Sequence, residues 1–399
     1  MISVAEAKKI IEGNAHPLKP VKVSISEAAG KILAEDIYSN ADFPPFPQSS
    51  MDGYAFRFED WKKENPLVIE GEMAAGVTEK MILAPGKATR IFTGAPLPEV
   101  ADTVIMQEKT QIKKGQSGEK LLVITDENLQ AGANVRLKGS EIRKGTPALE
   151  KNSLLSPASI GFLAGIGIAE VLVFPHPSIS VIITGKELQE PGKPLHFGQV
   201  YESNSLALSA VIQQFHFNDI KIFHADDDIS IVTRVLKSAL EHSDLVLLSG
   251  GISAGEYDFV LQAADNCGVS KLFHKIKQRP GKPLYFGKME NKLVFGLPGN
   301  PSSVLTCFYE YVLVALEIFT RKNITLRVIQ APLVKPFSKT VMLTNFLNGF
   351  YNGKDVEVLP AQESFRLSSF AKANCLVQID EDVMNCEKGE MVTIHLIPV

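Results

Sequence analysis

Charged, hydroxyl and glycine residues cluster in five loops in the second half of the chain, and each loop follows a predicted strand. The loops are TGKEL with Glu187, an acidic run with Asp227, SGGISAGEYD at 249–258, KIKQRPGKP at 275–283 and GLPGNPSS at 296–303. Glycine turns that lead into helices offer backbone N–H groups to an anion, and Lys and Arg add positive charge. Neighbouring carboxylates repel one another unless a cation lies between them, so the set favours a phosphorylated ligand with Mg²⁺ bridging its oxygens.

Each loop taken alone also has a plain structural interpretation. Asp228 is expected to cap a helix that begins at Ile229, and Asn300 followed by Pro301 is typical of a helix start. SGG can be a simple turn, and KIKQRPGKP can be a solvated basic loop. The chain has neither the GxxxxGK[ST] motif of P-loop proteins nor GxGxxG after a strand, which argues against those two nucleotide sites.

The elements that must position these loops alternate between strand and helix. Strands are predicted at 180–183, 219–223, 244–248, 271–274 and 292–295, with helices at 205–215, 229–242, 259–267 and 302–319. Several of the strands are continuously apolar, as in a largely parallel sheet with helices on both faces. Ligands bind beyond the carboxyl ends of such strands, where the five loops begin.

The regions on either side of this alternating segment show different sequence patterns. Ser3 and Glu6 match a capping box for a first helix that Gly13 ends, and a short helix and a strand are expected within 26–37. DFPPFP at 42–47 is incompatible with helix and indicates an extended linker. Short apolar runs at 66–69, 88–92, 103–106 and 121–124, with a hairpin tip at 113–120, predict a small β domain. Ser156 and Pro157 open another helix, and 324–399 is predicted to be β-barrel-like.

Composition excludes several classes of protein. The 399 residues carry a net charge of −4, which argues against a dedicated nucleic-acid binder. The four cysteines form no C-x-x-C pair, so we expect free thiols in a reducing compartment. The N-terminus lacks the pattern of a signal peptide, and the apolar stretch 304–319 contains Glu310 and Glu317, which favours a core helix over a membrane span. We therefore expect a cytoplasmic protein with no membrane partner.

Eight motifs give the chain a resemblance to a known family over essentially its whole length. They are SSMDGYA at 49–55, FTGAPLP at 92–98, VRLKGSEI at 135–142, TGKEL, SGGISAGEYD, RPGKP at 279–283, GLPGNPSS and SSF at 368–370. Their order and spacing resemble the MoeA family of molybdopterin molybdenumtransferases, whose animal counterpart is the E domain of gephyrin. The resemblance implies a transferase that inserts molybdate into adenylylated molybdopterin and releases AMP.

The resemblance also implies roles for individual residues. Catalytic roles fall to Asp52, Thr93, Glu187, Asp227 and Asp258. Mg²⁺ is expected to be held by Glu187, Asp227 or Asp258. The substrate-binding positions are Arg136, Glu141, Ser249, Gly250, Gly251, Ser253, Lys275, Arg279, Lys282, Pro298, Gly299, Asn300, Pro301, Ser368 and Ser369. The substrate brings its own dithiolene, so no catalytic cysteine is needed.

For the architecture, the resemblance implies a multidomain α/β-plus-β protein. The expected domains are a discontinuous helical and linker domain (1–42 and 140–173), a small β domain (43–139), a three-layer α/β molybdopterin-binding domain (174–323) and a C-terminal β-barrel-like domain (324–399). The family forms homodimers with a cleft between the β domain of one subunit and the α/β domain of the other. A transient contact with the molybdopterin adenylyltransferase is also expected.

Three positions depart from the family pattern. Lys186 and Arg279 stand where Asp and Lys are usual, and Glu141 replaces Asp. Lys186 places a positive charge beside Glu187 where the family has a negative one, which argues against a metal role for that loop. Arg279 keeps the positive charge of lysine but has a planar guanidinium, and Glu141 keeps the carboxylate on a side chain that is one methylene longer.

Two other classes of function stay open at this level. Gephyrin's E domain binds receptor segments, so a scaffold is one alternative, and release of AMP would distinguish the two. Competence-damage-type proteins share a related α/β domain with an SGG motif, so a nucleotide-processing enzyme is the other. The MDGYA and TGAPLP segments argue against it, because they are features of the transferase.

Overall fold

The computed structural model describes residues 1–61, 65–251 and 259–398. The chain divides into two compact units. The large unit comprises Met1–Val21 and Phe174–Val399, and the small unit comprises Lys22–Val173. The four-part division inferred from the sequence remains a prediction, and each unit is described by itself below.

Helix α1, Val4–Asn14, opens the large unit. The predicted capping box is confirmed, because Ser3 Oγ accepts a hydrogen bond from the Glu6 N–H at 3.2 Å while the Glu6 carboxylate accepts one from the Ser3 N–H at 2.7 Å. The helix continues one residue past Gly13. Ala7 and Ile11 on its inner face are fully buried, which fixes the helix against the core of the large unit.

Short strands make up most of the small unit, as predicted for 51–136. Its elements are β1 Val21–Ser24, β2 Ile32–Leu33, β3 Ile37–Tyr38, β4 Gln48–Ser49, β5 Gly53–Phe56, β6 Leu67–Met73, β7 Lys87–Ile91, β8 Thr103–Met106, β9 Thr110–Lys114, β10 Lys120–Ile124, β11 Val135–Arg136, β12 Pro147–Leu149, helix α2 Pro157–Gly165 and β13 Glu170–Phe174. Six strands form a sheet in the order β8-β5-β7-β6-β10-β9. The predicted hairpin is confirmed, with Lys114 paired opposite Lys120.

The rest of the small unit packs around a separate apolar cluster that includes Leu33, Leu155 and Leu163. The short helix predicted within 26–37 is a single 3₁₀ turn at Ile25–Glu27. A segment of three residues is long enough for one such turn only. The predicted cap of α2 is confirmed, since Ser156 Oγ accepts a hydrogen bond from the Ser159 N–H at 3.1 Å.

The large unit contains the predicted α/β sheet. Its elements are β14 Ile179–Thr184, β15 Leu188–Gln189, β16 Val200–Tyr201, α3 Asn204–Gln214, β17 Ile220–Ala225, α4 Ile229–His242, β18 Leu245–Ser249, α5 Phe259–Asn266, β19 Ser270–His274, β20 Gln278–Arg279, β21 Tyr285–Met289, β22 Lys292–Leu297, α6 Pro301–Cys307 and α7 Leu313–Thr320. The sheet order is β17-β14-β18-β22-β21-β19, and the first four strands are parallel. The strand that sequence reasoning missed, β21, runs antiparallel to both of its neighbours.

The register of the sheet brings the strand ends together at one edge. Ile183 pairs with Ser249, and Ser249 pairs with Leu297. Because β21 is antiparallel to both neighbours, β19 runs in the same direction as β22, and His274 lies level with Gly296. The five polar loops therefore begin at the same edge, as the alternating pattern indicated.

One helical stretch in the described part of the chain, Pro301–Thr320, is long and apolar enough to cross a membrane, with a mean hydropathy of 1.5. It consists of α6, a π-helical segment at Phe308–Val312 and α7. Within this stretch, 78% of the 18-residue window is buried inside the protein, as predicted for a core helix. Its Glu310 is buried and pairs with Lys8 at 2.7 Å and with His395 at 2.6 Å.

The C-terminal part of the large unit is rich in strands. Its elements are β23 Arg327–Pro332, β24 Phe337–Ser338, β25 Thr344–Tyr351, β26 Val356–Val358, α8 Leu367–Phe370, β27 Cys375–Ile379, β28 Asn385–Cys386 and β29 Met391–Leu396. The main sheet has the order β20-β25-β27-β29-β23, with β26 on β25. Gln278 and Arg279 of the basic loop form its first strand, β20, so this sheet also anchors that loop. The predicted multidomain α/β-plus-β class is confirmed.

Candidate functional site

A cavity of about 690 Å³ lies at the carboxyl edge of the α/β sheet. We name it the strand-edge cavity, and its lining includes Thr184, Gly185, Glu187, Asn204, Asp227, Ser249, Gly250, Gly251, Gly299, Asn300, Pro301 and Phe365. Residues at the ends of β14 and β18 and in the turn before α6 are part of this lining. Residues from four of the predicted polar loops thus share one concave surface.

The backbone of the turn after β18 strongly favours glycine at two positions. Gly250 and Gly251 have φ values of +96° and +64°, which other residues rarely adopt. A Cβ on Gly250 would lie 2.3 Å from the Thr184 carbonyl oxygen. The turn therefore packs tightly against the end of β14 and brings its backbone to the cavity surface.

Asn204, at the start of α3, joins two of these loops and was missed from the sequence. Its Nδ2 donates to Ser249 Oγ at 2.9 Å and to the Gly299 carbonyl at 2.8 Å. Its Oδ1 is buried at the cavity without a hydrogen-bond partner among the described residues, and so is Thr184 Oγ1. The sequence predicts a helix that begins one residue later, at 205, and none of the motifs includes Asn204.

Two of the predicted catalytic carboxylates, Glu187 and Asp227, line the strand-edge cavity. Asp227 Oδ2 accepts a long hydrogen bond from the Lys186 N–H at 3.3 Å. Asp228, in contrast, is the predicted helix cap, with Oδ1 accepting from the Ser230 and Ile231 N–H groups at 2.9 and 3.1 Å. Hydrogen bonds from the Ser230 hydroxyl and from these N–H groups lower the pKa of Asp228.

Asp258 and Ser253 lie outside the described residues, so the set of metal ligands expected from the sequence is described only in part. Within the described ranges, no group of three His, Cys, Asp or Glu side chains could hold a metal ion. Glu187 and Asp227 nevertheless both line this cavity, and carboxylate oxygens are the donors that Mg²⁺ prefers. The chemistry of this donor pair fits the metal.

A second cavity of about 680 Å³ adjoins the first. We name it the basic cavity, and its lining includes Arg279, Lys282, Pro298, Gly299, Asn300, Ser303, Ser364 and Phe365. Arg279 and Lys282 are exposed, so their charged groups face solvent. Gly299, Asn300 and Phe365 line both cavities. Lys275, predicted with them, is half-buried and lines neither cavity.

A buried amide fixes the basic loop. Gln278 Nε2 donates to the carbonyls of Pro280 and Gly281 at 3.0 and 3.3 Å, while the Tyr311 hydroxyl donates to its Oε1. A Cβ on Gly281 would lie 2.5 Å from Cys307 Sγ, so the loop packs directly on α6. Burial raises the pKa of Tyr311 well above its ordinary value, which keeps the phenol a donor.

The C-terminal region approaches the site through Ser364. Asn300 occupies the capping position of α6 as predicted, but its side chain makes no capping bond. Its Nδ2 donates instead to Ser364 Oγ at 2.7 Å, and the Ser302 N–H donates to the Ser364 carbonyl at 3.1 Å. In the following helix Ser368 is exposed, while Ser369 is buried with its Oγ unpaired among the described residues.

In the small unit, Asp52 and Thr93 come together although 41 positions separate them. Asp52 Oδ1 accepts from the Thr93 N–H and from Thr93 Oγ1, both at 2.8 Å. These two hydrogen bonds hold the pKa of Asp52 below its ordinary value, and the bond from the Thr93 backbone has the larger effect. The positive charge of Arg90 lowers this pKa further. Asp52 is therefore an exposed carboxylate in a fixed orientation.

Arg90 organises the backbone around this carboxylate. Its guanidinium donates to the Gly53 carbonyl at 3.1 Å and to Gln107 Oε1 at 2.6 Å, and it lies over the Tyr54 ring. A Cβ on Gly53 would lie 1.8 Å from the Ile105 carbonyl oxygen, so MDGYA requires its glycine for close strand packing.

The two other site residues predicted in the small unit lie on a later segment of the chain. Arg136 is exposed on β11, opposite Gln48 of β4. Glu141 is also exposed, and its N–H donates to the Phe43 carbonyl at 3.0 Å. Asp52, Thr93, Arg136 and Glu141 therefore all belong to the small unit, while the other predicted site residues that the structure describes belong to the large one.

Three family models match the chain. The MoeA N-terminal region (domain I and II) matches residues 2–167, a probable molybdopterin-binding domain matches 180–317, and the MoeA C-terminal region (domain IV) matches 330–397. Among similar proteins, a molybdopterin molybdenumtransferase of Haemophilus influenzae is 35% identical over 403 residues, covering 99% of this chain and 98% of the relative. One from a Nostoc species is 37% identical, covering 73% of this chain and 67% of the relative.

Solved structures give the same result. A molybdopterin biosynthesis MoeA protein from Pyrococcus horikoshii matches with a TM-score of 0.83 and 31% identity, covering all of both chains. A second structure of the MoeA protein from that organism matches with a TM-score of 0.75 and 30% identity over 99% of this chain.

Proposed function

We propose that this chain, which belongs to the MoeA family and acts as a molybdopterin molybdenumtransferase in molybdenum cofactor biosynthesis, holds adenylylated molybdopterin in the strand-edge cavity and molybdate in the basic cavity. The observation that carries the proposal is the convergence of the polar loops on two adjoining cavities. In the reaction, water adds across the phosphoanhydride and AMP leaves. The dithiolene sulfurs bond to molybdenum as oxygens of molybdate depart as water.

Both substrates are anions, so binding requires positive potential at a fixed place. Arg279 and Lys282 supply two cationic groups on a loop that the buried Gln278 holds in shape. The glycine turn at Gly250–Gly251 and the N-terminus of the helical stretch that begins at Pro301 supply backbone dipoles for the phosphates. Molybdate is a compact tetrahedral dianion. It suits the basic cavity, where Arg279 and Lys282 stand against the carboxylate of Glu363, better than the strand-edge cavity, whose lining includes Glu187, Glu202 and Asp227.

Glu187 and Asp227 would hold Mg²⁺ on the wall of the strand-edge cavity, together with Asp258. When bound, the metal neutralises charge on the phosphoanhydride oxygens. Lys186 stands beside these carboxylates with its side chain exposed, so its charge is largely screened by solvent. The donor pair can therefore serve a divalent cation despite this lysine.

Asp52 would orient water or relay protons from the dithiolene thiols to the molybdate oxygens that leave as water. Its two hydrogen bonds from Thr93 keep it ionised and fixed, which suits a positioning role. Since Asp52 belongs to the small unit, a homodimer in which the small unit of one subunit completes the site on the partner's large unit would bring it to the substrate. Four free cysteines are compatible with a cytoplasmic setting.

The function and the dimer are tested by one experiment with two variants. Purified Asp52→Asn and Asp258→Asn proteins are each assayed for molybdate-dependent release of AMP from adenylylated molybdopterin, and each is expected to fold but lose activity. After subunit exchange in an equal mixture, about a quarter of the wild-type activity should return, because half of the dimers carry one intact site. Full activity in both separate variants would refute the assigned roles. If the mixture released no AMP, the shared site would be refuted.

A further inference from the structure

Phe365 occupies an unusual place for a large apolar side chain. It is 62% exposed, and it lines both the strand-edge and the basic cavity. Among the residues that the structure describes, Gly299 and Asn300 are the only others that line both cavities. An exposed phenylalanine by itself is ordinary, so its significance depends on how firmly the ring is presented.

The backbone around Phe365 is tied on both sides. Ser364 is held by the hydrogen bonds from Asn300 and from the Ser302 N–H. On the other side, the Arg366 N–H donates to the Glu363 carbonyl at 2.8 Å, and the two side chains form an ion pair at 3.2 Å. The Arg366 guanidinium also lies 5.6 Å from the centre of the Phe365 ring. The ring is thus carried on a fixed turn at the boundary of the cavities.

We propose that Phe365 stacks on the pterin ring of the substrate. The inference rests on the proposed function and adds a binding residue to it. With the phosphoanhydride beside Glu187 and Asp227 and molybdate beside Arg279, the dithiolene between them must lie at the boundary of the two cavities. The pterin is fused to the dithiolene-bearing ring, whereas adenine lies beyond the phosphates, so the pterin is the aromatic ring that reaches Phe365.

Steady-state kinetics of the full-length protein test this role. Phe365→Ala is expected to raise the KM for adenylylated molybdopterin about tenfold, since loss of an aromatic platform costs this much for a nucleobase. The KM for molybdate should not change, and Phe365→Trp should restore the wild-type value. The matched control is Phe350→Ala, because Phe350 is 48% exposed on β25 and lines neither cavity. Equal KM values for Phe365→Ala and wild type would overturn the proposal.

A binding measurement separates pterin from adenine and does not need turnover. The chain has one tryptophan, Trp61, so F365W adds a second indole. The emission of the added indole is obtained by subtracting the wild-type fluorescence from that of F365W. Adenylylated molybdopterin should quench the added emission, and AMP alone should not. Quenching by AMP, or none by the adenylylated pterin, would contradict the assignment. An inactive wild-type protein would defeat the proposed function, while this titration would still decide the role of Phe365.

Discussion

Asp52 shows how a single residue acquires a defined protonation state at the surface. Its carboxylate is exposed, yet one oxygen accepts both available hydrogen bonds of Thr93. Hydrogen bonds to the ionised form lower a carboxyl pKa, and here the backbone bond contributes first. The Asp52 side chain therefore stays charged to lower pH than a free aspartate.

Removing the hydroxyl of Thr93 should raise the pKa of Asp52 part of the way to its ordinary value of 3.8. In Thr93→Val the backbone bond remains, so the shift is partial, and the acid limb of the pH–rate profile moves to higher pH. Thr93→Ser keeps the hydroxyl and should behave as wild type. Carboxyl NMR titration measures the pKa directly, and an unchanged value in Thr93→Val would contradict the hydrogen-bond explanation.

At the scale of elements, the buried Glu310 links α1, the long helical stretch and β29. Burial acts to raise the pKa of Glu310, but its interactions with His395 and Lys8 outweigh this and hold it below the ordinary value. A depressed carboxyl pKa contributes stability that is present above the unfolded-state pKa and is lost as pH falls through the folded-state pKa. The junction should therefore weaken in acid.

Glu310→Gln is expected to lower the free energy of unfolding at neutral pH by about 2–3 kcal/mol, because it removes a buried charge from two partners. The deficit relative to wild type should shrink as pH falls below about 4.5, the ordinary value for this group. Glu357→Gln is the matched control, since its pair with Lys335 is largely exposed and should change stability by less than about 1 kcal/mol. Guanidinium denaturation measures both, and equal losses would contradict this account.

The elements around the site were largely predictable because local patterns specify them. Apolar runs indicated β14, β17, β18, β19 and β22, and the capping residues of α1, α2 and α4 acted as predicted. Asn204 and Phe365 were not predictable, because their roles arise from contacts with residues distant in the chain. Gln278 likewise becomes important only when the basic loop packs on the helical stretch that begins at Pro301.

At the scale of the whole molecule, the predicted site residues divide between two compact units. The cavities, the basic loop, Glu187 and Asp227 belong to the large unit, whereas the hydrogen-bonded pair Asp52 and Thr93 belongs to the small unit. A dimer with shared sites would make activity depend on assembly, so dilution below the dimer dissociation constant would lower specific activity.

The central claim is that the loops at one edge of the α/β sheet form the receptacle for the phosphorylated pterin. A crystal structure of the protein soaked with adenylylated molybdopterin and molybdate tests it most directly. We predict ligand phosphates beside Gly250, Gly251 and Asn300, with molybdate beside Arg279 and Lys282. Ligand density on a surface away from these loops, with both cavities filled only by solvent, would contradict the account.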